Sequence, residues 1–417
     1  MQLDHQVPLK TLAFVLAGGA GRRLTPLTRY RPKPLVPFGG CFRILDFTLS
    51  NCFNSGLDRV YVLTQHEGES IAAYLRRGWR TLDSNRREFA IACPPAGGTQ
   101  YAGTADAILQ NLSLLQTHGC SHLLVVSADH VYKMDYRKLL RFHLNNDAEA
   151  TIATVGYPSE FSSEMGVIEM DAEDRVVGFE EKPSASRTDS RSSSTISVNM
   201  GVYVFNVQAL LAAAEMHRAR LVDIATDLIP LLLRSGNVYA YRHEDVRNTS
   251  SLYWRDLGTI QAYYDASMDL LSSRPPVDPY DNDWPIRAAG VRRFHGRSPL
   301  SEVGNEIDVN SVIPCAAHIE GASVYRSVLS MGVVLESGAD VRDSVLLPGA
   351  VIKRGASVRR AIVDAHVVIE AGDHIGYRRE RDQSRFHVLQ NGLVVVSPDH
   401  VLPFFKTSNV RRAAVAV

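Results

Sequence analysis

The 417-residue sequence predicts an α/β domain with a largely parallel sheet, followed by a parallel β-helix. From Lys10 to about Asp269, short β-branched runs alternate with helix-length amphipathic ones, the pattern of strands joined by crossover helices. The first of those runs opens directly into "AGGAGRRL" at 17–24, where a strand would turn into a helix. Beyond Pro299 aliphatic residues recur every 17 or 18 positions with Gly or Ala nearby, the signature of three hexapeptides per turn.

In order along the chain, strands are expected at 11–17, 59–64, 122–129, 150–157, 165–170 and 199–205. A helix is expected over 105–119, with Ile108, Leu112 and Leu115 on its apolar face. Ligands in open α/β sheets bind beyond the carboxyl ends of strands, so a site is sought in the residues that follow each strand. Residues 184–197 are rich in Ser and Arg without periodicity and read as a surface loop. The Pro- and Asp-rich text at 272–299 marks a linker between a domain at 1–271 and one at 300–417. In the last segment Val328, Val345 and Val363 are expected to stack, each with an aliphatic partner six residues on, at Val334, Val351 and Ile369.

Composition narrows the function. Forty-five basic residues balance 45 acidic ones, so there is no net field to draw nucleic acid or an anionic membrane. No apolar run approaches the roughly 18 residues of a membrane span. The N-terminus lacks a basic segment followed by an apolar one, so secretion is not indicated. Five scattered cysteines form no CxxC pair, and a reducing cytoplasm is the expected setting.

Gly18, Gly19 and Gly21 let the backbone turn sharply and bring N–H groups close to an anion, with a helix start adding positive potential. The loop is neither a P-loop nor a dinucleotide fingerprint, and glycines alone leave it open between an ordinary turn and a phosphate cradle. Arg22, Arg23 and Lys33, the last held in the proline-stiffened "RPKP", add charge that suits a polyphosphate. Asp129 ends a predicted strand and Asp256 lies in "YWRDLG". Each reads as a turn residue or, if both meet at a phosphate site, as an oxygen ligand for Mg²⁺. Glu181 and Lys182 in "FEEKP" read as a solvated ion pair or as a contact to a sugar hydroxyl and a sugar phosphate. His66, His130 and the other histidines lack metal spacing and read as surface or hydrogen-bonding residues. No Ser–His–Asp order or GxSxG elbow points to a protein nucleophile.

In sequence order, "AGGAGRRLTPLT", "RPKPLVPFGGCFRILDFTLSNCFNSG", "YAGTADAILQN", "ADHVYKMDY", "GFEEKP", "NMGVYVF", "YWRDLGT" and "YDNDWPIR" resemble the bacterial glucose-1-phosphate adenylyltransferases over nearly the whole chain. The resemblance implies a Rossmann-like nucleotidyltransferase domain, then a left-handed β-helix serving oligomerisation and regulation, in a cytoplasmic homotetramer. It implies the reaction of ATP with α-D-glucose 1-phosphate to give ADP-glucose and pyrophosphate, with Mg²⁺, for glycogen synthesis. Arg23 and Lys33 would hold the triphosphate beside Gly18, Gly19 and Gly21, and Asp129 and Asp256 would bind the metal. Arg23, Lys33 and Asp129 would form the catalytic set. Tyr101, Gly166, Glu181, Lys182 and Asn199 would line the sugar-phosphate pocket.

The chain departs from the family pattern in places. Arg22 replaces a small hydroxyl residue, Ala128 a Gly, Gln100 a Trp, Asn199 a Ser and Thr226 a Lys. Tyr30 replaces a lysine of the activator site, and "SPDHVLPFF" at 397–405 lacks the expected arginines, so activation by fructose 1,6-bisphosphate is not expected. Two other readings compete: a catalytically weak regulatory subunit, and a transferase for another nucleotide. The retained charges at Arg23, Lys33, Asp129, Lys182 and Asp256 weigh against the first.

Overall fold

The computed structural model describes residues 10–79, 88–184, 194–243, 252–289, 306–307, 310–314 and 316–401. The described residues form two compact units: 10–19, 48–79, 88–128, 132–184, 194–243 and 252–254 in the first, and 20–47, 129–131, 255–289, 306–307, 310–314 and 316–401 in the second.

The first unit is a nine-stranded sheet. Its strands are β1 (Thr11–Ala17), β2 (Arg59–Thr64), β3 (Phe89–Cys93), β4 (His122–Ser127), β5 (Ala150–Pro158), β6 (Gly166–Met170), β7 (Val176–Glu181), β8 (Thr195–Asn206) and β9 (Val238–Arg242). The main path runs β7-β6-β8-β4-β1-β2-β3, and β5 pairs with both β8 and β9. The strands at 11–17 and 59–64 fall where the short apolar runs place them. The sheet is not largely parallel, however. β1 runs parallel to β2 and β4, but β8 is antiparallel to β4, β5 and β6. Apolar runs of this length mark buried strands without stating their direction.

The predicted helix at 105–119 is two helices, α1 (Thr104–Gln110) and α2 (Leu112–Thr117), broken at Asn111. The Asn111 amide donates both to the Ala107 carbonyl, at 2.8 Å, and to the Tyr101 hydroxyl, at 3.1 Å. This competition for backbone groups is typical of asparagine. The start of α1 is pinned by the Val222 carbonyl, which accepts from Ala105 and Asp106 N–H. A Cβ on Gly103 would lie 2.5 Å from that oxygen, so "GTADA" acts locally as a docking corner. Of the Ser/Arg-rich stretch, 185–193 lies outside the described residues, and Thr195 to Ser197 already belong to β8.

The second unit contains the β-helix, with three ladders of coil strands paired in parallel, one of them ending in the antiparallel pair His387–Val388 and Val394–Val396. Successive rungs are 17 residues apart, as in Ser323↔Asp340↔Ser357↔His374. Its bore stacks Val324, Val341 and Val358 with Leu335, Ile352 and Ile369 and with Leu329, Leu346 and Val363. The expected register is corrected here. Val345 pairs with Ile362, not Val363, and Val351 with Val368, not Ile369. Neighbouring residues on a strand point opposite ways, so the 18-residue step mixed the two faces of a regular 17-residue repeat. The Pro- and Asp-rich stretch is packed where it is described, up to residue 289. Val277 and Ile286 are buried, the Tyr280 ring sits 5.3 Å from Phe42, and its hydroxyl donates to the Gly39 carbonyl at 2.7 Å.

Candidate active site

β1 and β4 are parallel neighbours, in register from Thr11↔His122 to Leu16↔Ser127, so their carboxyl ends emerge side by side. β1 ends in the glycine loop and β4 leads to Asp129. The loop turns into a single 3-10 turn, Arg22–Leu24, rather than an α-helix. The helix-dipole contribution expected there is absent, and the positive charge comes from side chains instead. A Cβ on Gly19 would meet no atom within 4 Å, which leaves the loop backbone open to a ligand. Gly21 has φ 60°, and a Cβ there would crowd Lys33 Cβ at 3.0 Å and Thr28 Cγ2 at 3.1 Å. Only glycine suits that position.

Within the second unit the predicted charges meet. Lys33 sits in a 3-10 turn, Lys33–Leu35, preceded by Pro32, and its side chain is buried. Its Nζ donates to Asp129 Oδ2 at 2.8 Å and to Asp256 Oδ1 at 3.1 Å. A buried ammonium is tolerable only with such partners. Burial alone would lower the Lys33 pKa, but the two carboxylates outweigh it and raise the value. Leu257 N–H donates to the Asp129 carbonyl, which ties the two acidic segments together. Gly258 supplies the remaining space. A Cβ there would lie 2.8 Å from Asp256 Oδ2 and 3.0 Å from Arg23 Nη2, so both groups approach Gly258. Arg22, its neighbour, is exposed.

His130, expected as a surface or hydrogen-bonding residue without metal spacing, lies against this acidic pair. Its Nε2 lies 3.4 Å from Asp129 Oδ1 and 3.9 Å from Asp256 Oδ1, and the side chain is only 13% exposed. Asp129, His130 and Asp256 offer ligand atoms all within 4.8 Å of one another. The two carboxylates give a hard, anionic oxygen pair, which fits Mg²⁺. The signal available in the sequence was adjacency: a histidine directly after a strand-terminal aspartate faces what the aspartate faces when the chain turns there.

The residues expected at the sugar phosphate lie in the first unit. Gly166, Glu181 and Asn199 converge: a Cβ on Gly166 would sit 2.7 Å from Glu181 Oε2 and 3.3 Å from Asn199 Cβ. Glycine there keeps room for the carboxylate. Glu181 pairs with Lys182 at 3.0 Å, and Lys182 is 59% exposed with φ 49°, an uncommon backbone state for a lysine. Asn199 lies at the irregularity where β8 shifts register between Asn199 and Tyr203. Its amide donates to the Tyr203 hydroxyl at 2.6 Å, and its oxygen accepts from Gly201 N–H at 2.9 Å. Tyr101 is packed in the core of the unit. Its hydroxyl donates to the Cys93 carbonyl at 3.1 Å, and its backbone N–H donates to Gln65 Oε1 at 2.9 Å. Thr226, where a lysine was expected, is exposed at the surface.

Comparison with known proteins shows the family. The nucleotidyl transferase family model matches residues 12–273, and the GlmU-like C-terminal hexapeptide model matches residues 301–396. The chain is 39% identical over 396 residues to glucose-1-phosphate adenylyltransferase 2 of Vibrio cholerae, covering 93% of this chain and 97% of the relative. It is 43% identical over 395 residues to glucose-1-phosphate adenylyltransferase 2 of Vibrio vulnificus strain YJ016, covering 92% and 98%. To the glucose-1-phosphate adenylyltransferase of Koribacter versatilis it is 37% identical over 404 residues, covering 94% and 97%. The chain belongs to the glucose-1-phosphate adenylyltransferase family.

Proposed function

We infer that this protein transfers the adenylyl group of ATP to α-D-glucose 1-phosphate, giving ADP-glucose and pyrophosphate. The family supports the reaction, and the observation that carries it on this chain is the cluster of Lys33, Asp129 and Asp256. An oxygen of the sugar phosphate attacks the α-phosphorus of ATP in line. A new P–O bond forms, the bond to the β-phosphate's bridging oxygen breaks, and pyrophosphate leaves with its charge. The sugar phosphate is already an anion, so no side chain need act as nucleophile or take a proton. What the protein supplies is position and charge.

Arg23 and Lys33 would hold the triphosphate, and Lys33, kept cationic by its carboxylate neighbours, would meet the charge that grows on the leaving pyrophosphate. Gly18, Gly19 and Gly21 would let the loop backbone approach the phosphates. Asp129 and Asp256 would hold Mg²⁺, with His130 beside them. The ion when bound neutralises phosphate charge and aligns the reacting oxygens. Glu181 would accept from a glucose hydroxyl, and Lys182 would face the sugar phosphate, near Gly166 and Asn199. Tyr101 would back the pocket through its hydrogen bonds. We assign the protein to glycogen synthesis in the cytoplasm as a homotetramer. No described helix is long and apolar enough to cross a membrane.

The test is pyrophosphate release by purified protein with glucose 1-phosphate, Mg²⁺ and each nucleoside triphosphate in turn. Turnover with ATP above the others supports the assignment. No turnover with any of them removes it, and preference for UTP or dTTP moves it to another nucleotide.

A further inference from the structure

The segment that carries Lys33 is fastened to the β-helix of the same unit. Arg31, two residues before Lys33, places Nη1 2.6 Å from Asp364 Oδ1, a residue 333 positions on and directly after the coil strand Ala361–Val363. Both groups are withdrawn from water, with side chains 10% and 1% exposed. Asp364 Oδ1 also accepts from Ala365 N–H at 2.7 Å, while its Oδ2 is buried with no hydrogen-bond partner among the described residues. Arg31 therefore carries most of the compensation for a buried carboxylate. An apolar pair of similar size would often serve stability as well, so such a pair points to a positional role.

The chain between Arg31 and Lys33 is stiff. Pro32 holds φ −66°, Pro34 follows Lys33, and the turn is closed by Leu35 N–H to the Pro32 carbonyl at 2.9 Å and Val36 N–H to the Lys33 carbonyl at 3.0 Å. Downstream the same segment is held by the Tyr263 hydroxyl on the Pro37 carbonyl at 2.6 Å and by Met331 N–H on the Gly40 carbonyl at 3.2 Å. Those bonds fix the far side of the turn. On the near side Arg31 is the buried charged anchor, and further from Lys33 the more exposed Arg29 pairs with Asp399, whose carboxylate also accepts from the Tyr30 hydroxyl.

We propose that Arg31 and Asp364 are a positioning pair for the reaction: through them the β-helix sets where the Lys33 ammonium stands, and so tunes the handling of ATP. The inference rests on the reading that Lys33 binds the triphosphate. Neither residue touches a reacting atom. Their effect passes through Pro32 to Lys33.

The experiment compares Asp364→Asn, Arg31→Lys, the apolar double variant Arg31→Met with Asp364→Leu, and Lys33→Ala, each also combined with Lys33→Ala. Steady-state constants for ATP and for glucose 1-phosphate are measured alongside thermal unfolding. The expected result is a loss of about tenfold in kcat/KM for ATP in Asp364→Asn, with the KM for glucose 1-phosphate nearly unchanged. Arg31→Lys, which keeps the charge, should show a smaller loss than Asp364→Asn. In the Lys33→Ala background, removing the pair should cost nothing more. The apolar double variant leaves no uncompensated charge, so it keeps the test open if Asp364→Asn does not fold, and it should show the same ATP defect. Equal effects on both substrates, or a folded double variant with normal kinetics, would overturn the inference. If Lys33→Ala itself leaves the ATP constants unchanged, the reading of Lys33 fails instead, and the two failures are told apart.

Discussion

The Lys33 ammonium donates to Asp129 across 2.8 Å, joining residues 96 positions apart in the chain. With Asp256 on its other side, the ammonium bridges the carboxylates that would hold Mg²⁺. A divalent cation held by these carboxylates would share their oxygens with the Lys33 ammonium. Asp129→Asn keeps the shape and removes one charge from this cluster. We expect kcat to fall by about 10²- to 10³-fold or more, with the fold retained. Steady-state pyrophosphate release with a melting curve checks both, and near-normal turnover would take Asp129 out of the mechanism.

Lys182 should act on the other substrate. It is exposed, pairs with Glu181 and holds a left-handed backbone. Lys182→Gln is expected to raise the KM for glucose 1-phosphate far more than the KM for ATP. Similar changes in both would place Lys182 elsewhere.

Gly258 tests the room left between Arg23 and Asp256. An added methyl at Gly258→Ala would sit within 3.0 Å of both groups and push them apart. The expected outcome is about a tenfold drop in kcat/KM for ATP with little change in melting temperature. An equally active variant would mean that the spacing of the two groups is not used.

A pH effect on stability follows from His143. Burial, with His122 beside it, lowers its pKa to about 3, and its Nδ1 shares a 2.8 Å hydrogen bond with Thr151 Oγ1. The folded chain therefore holds the ring neutral where the unfolded chain, titrating near 6.5, binds a proton. The stabilisation is fully present above about pH 6.5 and is lost as the pH falls toward 3. His143→Gln should lose less melting temperature than the natural protein between pH 7 and pH 4. An identical decline in the two proteins would show that His143 does not contribute.

The strands and the charged residues of the site were legible because each has a local signal. β1 and β2 are unbroken apolar runs, Lys33 lies between prolines, and Asp129 ends a strand. What was not legible depends on partners far away in sequence. The direction of β8 is set by pairing with β4, β5 and β6, which hydrophobicity along one strand does not encode. The break at Asn111 depends on a bond to Tyr101, and the surroundings of His130 on the position of Asp256. In the β-helix the period was readable, but the face was not. Val345 and Leu346 are adjacent and equally aliphatic, and only the stacking of Leu329, Leu346 and Val363 shows which row fills the bore.

On the proposed reading, Lys33, Asp129 and Asp256 are the charged machinery with which this chain makes ADP-glucose from ATP. The most direct measurement is pyrophosphate release from ATP and glucose 1-phosphate with Mg²⁺, run on the natural protein and on Asp256→Asn. The expected result is ready turnover by the first and a loss of about 10²-fold or more in the second. Turnover that is absent in the natural protein, or unchanged in Asp256→Asn, would contradict the claim.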